Sequence, residues 1–212
     1  MKTKNKDPKE DLLAIRNMME RSSKFLSLSG LSGVFAGFCA LAGAAVAYFL
    51  ILDSGQIQFD NYLLSLGNTS ASTVRFYLAI DAVAVLIVAT LGAFYFSIRK
   101  SRKANQPFWT NPTRNLFGHL LIPFVTGGIF AFILVSGNNI QLVAPVTLIF
   151  YGLSLVNAGK FTFGEIHYLG LTEIVLGIFA AIFINHGLLF WTLGFGVMHI
   201  VYGIVMYYRY ER

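Results

Sequence analysis

Runs of apolar residues, each near the length of a membrane crossing, alternate along the chain with short polar stretches. Six such runs stand out: Leu31 to Leu52, Phe76 to Ile98, Leu116 to Val135, Ile140 to Ala158, Ile166 to Asn185 and Gly187 to Tyr208. A helix needs about 20 apolar residues to cross the hydrocarbon core, and it satisfies its own backbone amides where no water can. The pattern therefore predicts an all-α, polytopic membrane helical bundle of six transmembrane helices. The connections Ser136 to Asn139 and Asn185 to Gly187 are very short. They predict antiparallel neighbours, and the simplest plan is three antiparallel hairpins.

Ahead of the first run, Leu12, Ile15, Met19, Ser22 and Leu26 recur at spacings of three and four, with Arg16, Glu20 and Lys24 on another face. That is the pattern of an amphipathic interfacial helix. Residues 1–30 are read as a cytoplasmic basic tail with this helix, 31–208 as the six-helix transmembrane domain, and 209–212 as a cytoplasmic C-terminal tail. The outer connection Asp53 to Arg75 carries turn residues, among them Gly67, Asn68 and Ser70, around an apolar Tyr62-Leu63-Leu64. Asn111-Pro112 reads as a helix N-cap followed by proline at the first helical position.

Composition agrees with the pattern. Of 212 residues, 56% are hydrophobic and only 12% charged. The net charge of +6 does not point to nucleic acid, because its lysines and arginines sit between apolar runs rather than on one soluble module. Fifteen of the 16 basic residues fall on one side of the predicted topology, leaving only Arg75 on the other. Basic loops stay in the cytoplasm, so both termini are predicted there. The implied partners are the bilayer and, for the basic N-terminus, anionic inner-leaflet lipids; homo-oligomerisation stays open. Ala45-Val46-Ala47 has the form of a signal-peptidase site, but the run continues through Leu52, as an uncleaved anchor does. Cys39 has no second cysteine to pair with and reads as a small packing residue.

Glycines mark the helix contacts. Gly33 and Gly37, Gly152 and Gly159, Gly170 and Gly177, and Gly196 and Gly203 each share a helix face, and in lipid such faces let backbones approach closely. Gly128-Ile129-Phe130-Ala131 recurs as Gly177-Ile178-Phe179-Ala180.

Ionisable groups inside a membrane are costly and point to function or to pairing. Glu173 and His199 lie about 10 and 13 Å from the inner ends of their runs at about 1.5 Å per residue. They are placed symmetrically, thirteen residues before and after His186, and so are expected at one depth, hydrogen-bonded, with Gly177 opposite Gly196 and Gly170 opposite Gly203. Whether the pair is neutral or ionic stays open. It either fastens the last hairpin or forms a proton-responsive site, with Tyr202, Asn157, His119 and His167 lining an inner pocket.

No catalytic constellation appears: no phosphate loop, dinucleotide fingerprint or nucleophile elbow. The histidines lie singly, without the three- or four-residue spacing that aims two ligands from one helix face, so no metal and no cofactor is called for. The chain Leu148-Ile149-Phe150-Tyr151-Gly152, the run Leu169 to Gly177 and the run Gly194 to Gly203 resemble a family of uncharacterised bacterial six-span membrane proteins, over most of the chain. Some of its members are described as carotene-cleaving oxygenases, which would imply membrane-embedded, metal-dependent oxygenation. Over the third to sixth runs, the paired glycines are also similar to HdeD-like acid-resistance membrane proteins. The leading reading is a non-enzymatic, stress- or proton-responsive membrane protein. A small transporter or channel is the alternative, with Pro123 and Pro145 as candidate helix breaks, and an oxygenase is the third.

Overall fold

The computed structural model of the protein describes residues 25–52 and 68–212. The interfacial helix expected before Phe25, and the apolar Tyr62-Leu63-Leu64, lie outside the described residues. Everything regular that is described is helical. Helix α1 spans Gly30–Val46 and continues as a π-helical segment, Ala47–Ile51; α2 is Asn68–Lys103 and α3 Asn111–Ser136. Then follow α4, Val143–Ala158, and α5, Gly164–Ile182. A last span is built in three parts: α6, Gly187–Trp191; a π-helical segment, Thr192–Met198; and α7, His199–Tyr210. Among the described residues six helices are long and apolar enough to cross a membrane, which is the build of a multi-pass membrane protein.

Three local results differ from the sequence reading. Helix α2 begins at Asn68, inside what reads as a loop, and runs to Lys103. Its last turn carries Lys100, Arg102 and Lys103, cations that favour the negative end of the helix dipole. The cap of α3 is Thr110, one residue earlier than expected. Its hydroxyl accepts from the Thr113 amide at 3.4 Å, while Thr113 Oγ1 accepts from the Thr110 amide at 3.3 Å. This reciprocal box outcompetes Asn111, because Thr113 also donates to Phe108 O at 2.7 Å. Third, α3 runs unbroken through Pro123, and Pro145 sits in the first turn of α4, so neither proline breaks a span.

The glycine seams also pair differently from the expected mirror. A methyl group built on Gly152 would lie 2.6 Å from Gly170 O, and one on Gly177 3.0 Å from Pro145 O, so α5 packs on α4. A methyl on Gly203 would lie 2.7 Å from Gly30 O, and one on Gly37 2.6 Å from Gly196 O, so the last span packs on α1. Gly170, Glu173 and Gly177 share one face of α5 by their spacing of three and four; the two glycines on that face sit against α4, while the longer Glu173 side chain reaches His199 of the last span.

The start of α1 and the end of α7 meet at one end of the bundle. Glu211 accepts from the Gly30 amide at 2.5 Å and from Ser29 Oγ at 3.1 Å, and Lys100 Nζ lies 3.3 Å away. Lys100 also donates to Leu28 O at 2.6 Å. Nearby, Arg209 and Tyr210 both donate to Glu165 on α5. The segment before α1 is strapped across this end, with the Phe25 amide donating to Phe161 O and Thr162 Oγ1 donating to Phe25 O, each at 2.7 Å.

Candidate functional site

Glu173 projects from α5 into the interior and is wholly buried, at 0% exposure. Across from it, His199 opens α7 and is 6% exposed. His199 Nδ1 lies 3.4 Å from Glu173 Oε1. This is an electrostatic contact rather than the hydrogen bond expected from the sequence, because Nδ1 is 3.1 Å from a different acceptor, Gly194 O. The π-helical turn explains the displacement. It adds a residue to the turn before His199 and brings the carbonyl five residues back beneath the ring. Among the described residues, neither carboxylate oxygen of Glu173 has a hydrogen-bond partner.

The carboxyl group is housed by the backbone of the same π segment. A methyl group at position 194 would collide with Glu173 Oε2 and would lie 2.6 Å from Leu148 Cδ2. Glycine is therefore required at 194 for close approach rather than for an unusual backbone angle. Leu148 is itself fully buried, so the carboxyl sits against an apolar wall on one side and the imidazole edge on another.

The third side chain of the site is one that sequence reading passed over. Tyr151 on α4 places its hydroxyl 2.8 Å from His199 Nε2. The rings are stacked, with centroids 5.4 Å apart, and Phe195 packs on both, 5.0 Å from Tyr151 and 6.0 Å from His199. Trp191 in turn lies 5.0 Å from Phe195. A signal was available: Tyr151 is in mid-span, whereas membrane tyrosines concentrate at the interfaces, where the hydroxyl finds water. A mid-span phenol needs a partner, and His199 is that partner.

The four residues read as an inner pocket are placed elsewhere. Tyr202 turns its hydroxyl to Thr172 Oγ1 at 3.5 Å, and His119 stacks on Phe161 with centroids 4.8 Å apart. His167 packs against Gly159, where an added methyl would lie 2.8 Å from its Cβ. Asn157 is half-buried on α4. None of the four hydrogen-bonds to the Glu173 carboxyl, and among the described residues no three His, Cys, Asp or Glu side chains gather as a metal-ligand group.

Three side chains and one carbonyl, from α4, α5 and the last span, thus form a closed polar node inside an apolar bundle. The node has two acid–base groups in contact and a hydroxyl on the far side of the ring, which is enough to hold and relocate a proton. The chain matches no protein-family model, no curated protein and no solved structure among those compared with it.

Proposed function

We propose that this is a proton-responsive protein of a bacterial inner membrane, in which protonation of the Glu173–His199 pair changes the packing of the last span. The observation that carries the reading is the carboxyl group of Glu173: wholly buried, without a hydrogen bond, and in contact with an imidazole. A purely structural fastening would be better served by a hydrogen-bonded or apolar contact, because a buried charge left with one imperfect partner is destabilising. Gly194 packs closely against the carboxyl and Leu148, with no room for a methyl group at that position.

The π segment is where such a response would act. Neutralising Glu173 weakens its attraction for the Nδ1 edge, while charging the ring strengthens both of its polar contacts. Either event acts on a turn whose backbone already departs from the α-helix. The basic end of the bundle would face the cytoplasm by the charge rule.

Trp191 is a natural reporter, since it packs on Phe195, which packs on His199. With Trp109 replaced by Phe, the emission of Trp191 in lipid nanodiscs is expected to change reversibly as the pH is lowered. Glu173→Gln and His199→Gln are each expected to abolish the change. A response that survives both substitutions would refute the assignment.

A further inference from the structure

Along the basic half of the bundle, glycines close α1 against the last span. A methyl group on Gly30 would lie 2.5 Å from Gly203 O, one on Gly33 3.1 Å from Gly203 Cα, and one on Gly37 2.6 Å from Gly196 O. On α1 the seam then passes to Leu41, whose Cδ2 would lie 2.6 Å from a methyl at position 196. Beyond it the two spans stand apart around a cleft of about 520 Å³, at the end of the bundle away from Glu211 and Lys100. Each span has a π-helical turn bordering this cleft: Ala47–Ile51 supplies Tyr48 and Phe49, and Thr192–Met198 supplies Thr192 and Leu193. An extra residue in a turn interrupts the regular ridges that close helix packing needs.

The walls are aliphatic, from Leu41, Ala44 and Ala45 on one side and Leu188 and Leu193 on the other. Phe49 and Leu189, also in the lining, are 62% and 52% exposed, so the cleft opens onto the surface of two membrane-crossing helices. No permanent charge lines it. The Thr192 hydroxyl is committed to Leu188 O at 2.7 Å. The other polar side chains of the lining, Tyr48, Asn185 and His186, gather toward the ends of the spans, and no hydrogen bond joins any of the three to another described residue. From Tyr48 to Leu41, and from His186 to Leu193, is seven residues, about 10 Å along a helix.

We propose that this cleft holds one phospholipid, with an acyl chain between the two spans and its glycerol esters at Tyr48, Asn185 and His186. Hydrocarbon chains are the medium around both spans, and an apolar recess open to them is filled by a chain, because an empty one forfeits the dispersion contacts of its lining. A chain in the cleft touches two helices instead of one, which separates it from lipids resting on the outer surface. The rim matches the rest of the molecule in kind and in depth. Hydroxyl, amide and imidazole N–H groups donate, ester carbonyls only accept, and tyrosines at span ends sit at the level of the lipid headgroups.

The test is native mass spectrometry of the full chain released from nanodiscs of palmitoyl-oleoyl phosphatidylcholine, with loosely held lipid removed by collisional activation. One phospholipid is expected to stay on each chain. Ala45→Trp fills the cleft and is expected to lower that retention at least about tenfold, equivalent to about 1.4 kcal/mol of binding. Ala84→Trp adds the same bulk at an exposed position of α2 outside the cleft and is expected to retain the lipid as the wild type does. A comparison that needs no variant is the diether analogue of the same lipid, which lacks both ester carbonyls. The wild type is expected to hold it at least about threefold less well, the worth of one neutral hydrogen bond. Equal retention in Ala45→Trp and wild type, or equal loss in Ala84→Trp, would overturn the site. Equal retention of the ester and ether lipids would overturn the placement of the esters at the rim. A second copy of the chain, or a compound other than the added phospholipid, held by the wild type and lost in Ala45→Trp, would overturn the choice of occupant.

Discussion

At position 194 a single hydrogen stands where any other residue would press a carbon against the Glu173 carboxyl and Leu148. Gly194→Ala is therefore expected to destabilise the protein by about 1–3 kcal/mol, as overpacking of a closed interior does, and to weaken the pH response of Trp191. Gly128→Ala is the matched control, because a methyl there meets nothing within 4 Å; it should be neutral or slightly stabilising in the same thermal melts. At this scale the sequence reveals the acid and the base, since an ionisable residue deep in an apolar run is conspicuous. It does not reveal Gly194 or Tyr151. One glycine among twenty looks like another until its neighbour is known, and a tyrosine carries no charge to draw attention to it.

Among the elements, the entry to α3 shows how a local choice is decided by what the side chain reaches. Thr113 is fully buried and serves two partners, the Thr110 amide and Phe108 O. Thr113→Val keeps the shape and removes both bonds, so a loss of about 1–2 kcal/mol is expected in denaturant titration, while Asn111→Ala should cost little. The existence and order of the helices were legible from the length of the apolar runs. The cap was displaced by one residue because two hydroxyls in register make a better box than an asparagine beside a proline. The π-helical segments could not be read at all: they shift a helical face by one residue over a stretch too short to alter the apolar pattern. The same shift sets Gly194 O, rather than the carboxylate, as the first acceptor for His199.

Over the whole molecule, two glycine seams hold separate pairs of spans, α4 with α5 and α1 with the last span. Polar contacts join these pairs, among them the node at Tyr151, Glu173 and His199 and, at the basic end, Arg209 and Tyr210 donating to Glu165 of α5. At that end Glu211 also ties the start of α1 to Lys100 of α2. Glu211→Gln is expected to cost about 1–3 kcal/mol in thermal unfolding, because a charged group with little exposure loses its charged partner. Arg209→Gln, whose side chain is 67% exposed, should cost no more than about 1 kcal/mol. The glycines of each seam were legible as packing faces, but not which helix each would meet, because spacing along one helix fixes a face and says nothing about its partner. The most direct test of the central claim, that Glu173 and His199 act as one unit, is a double-mutant cycle of unfolding free energies in lipid with Glu173→Gln, His199→Gln and the double variant. A coupling energy of about 0.5–3 kcal/mol is expected, and it should vary with pH. Substitutions that add to within about 0.3–0.5 kcal/mol at every pH would contradict the account.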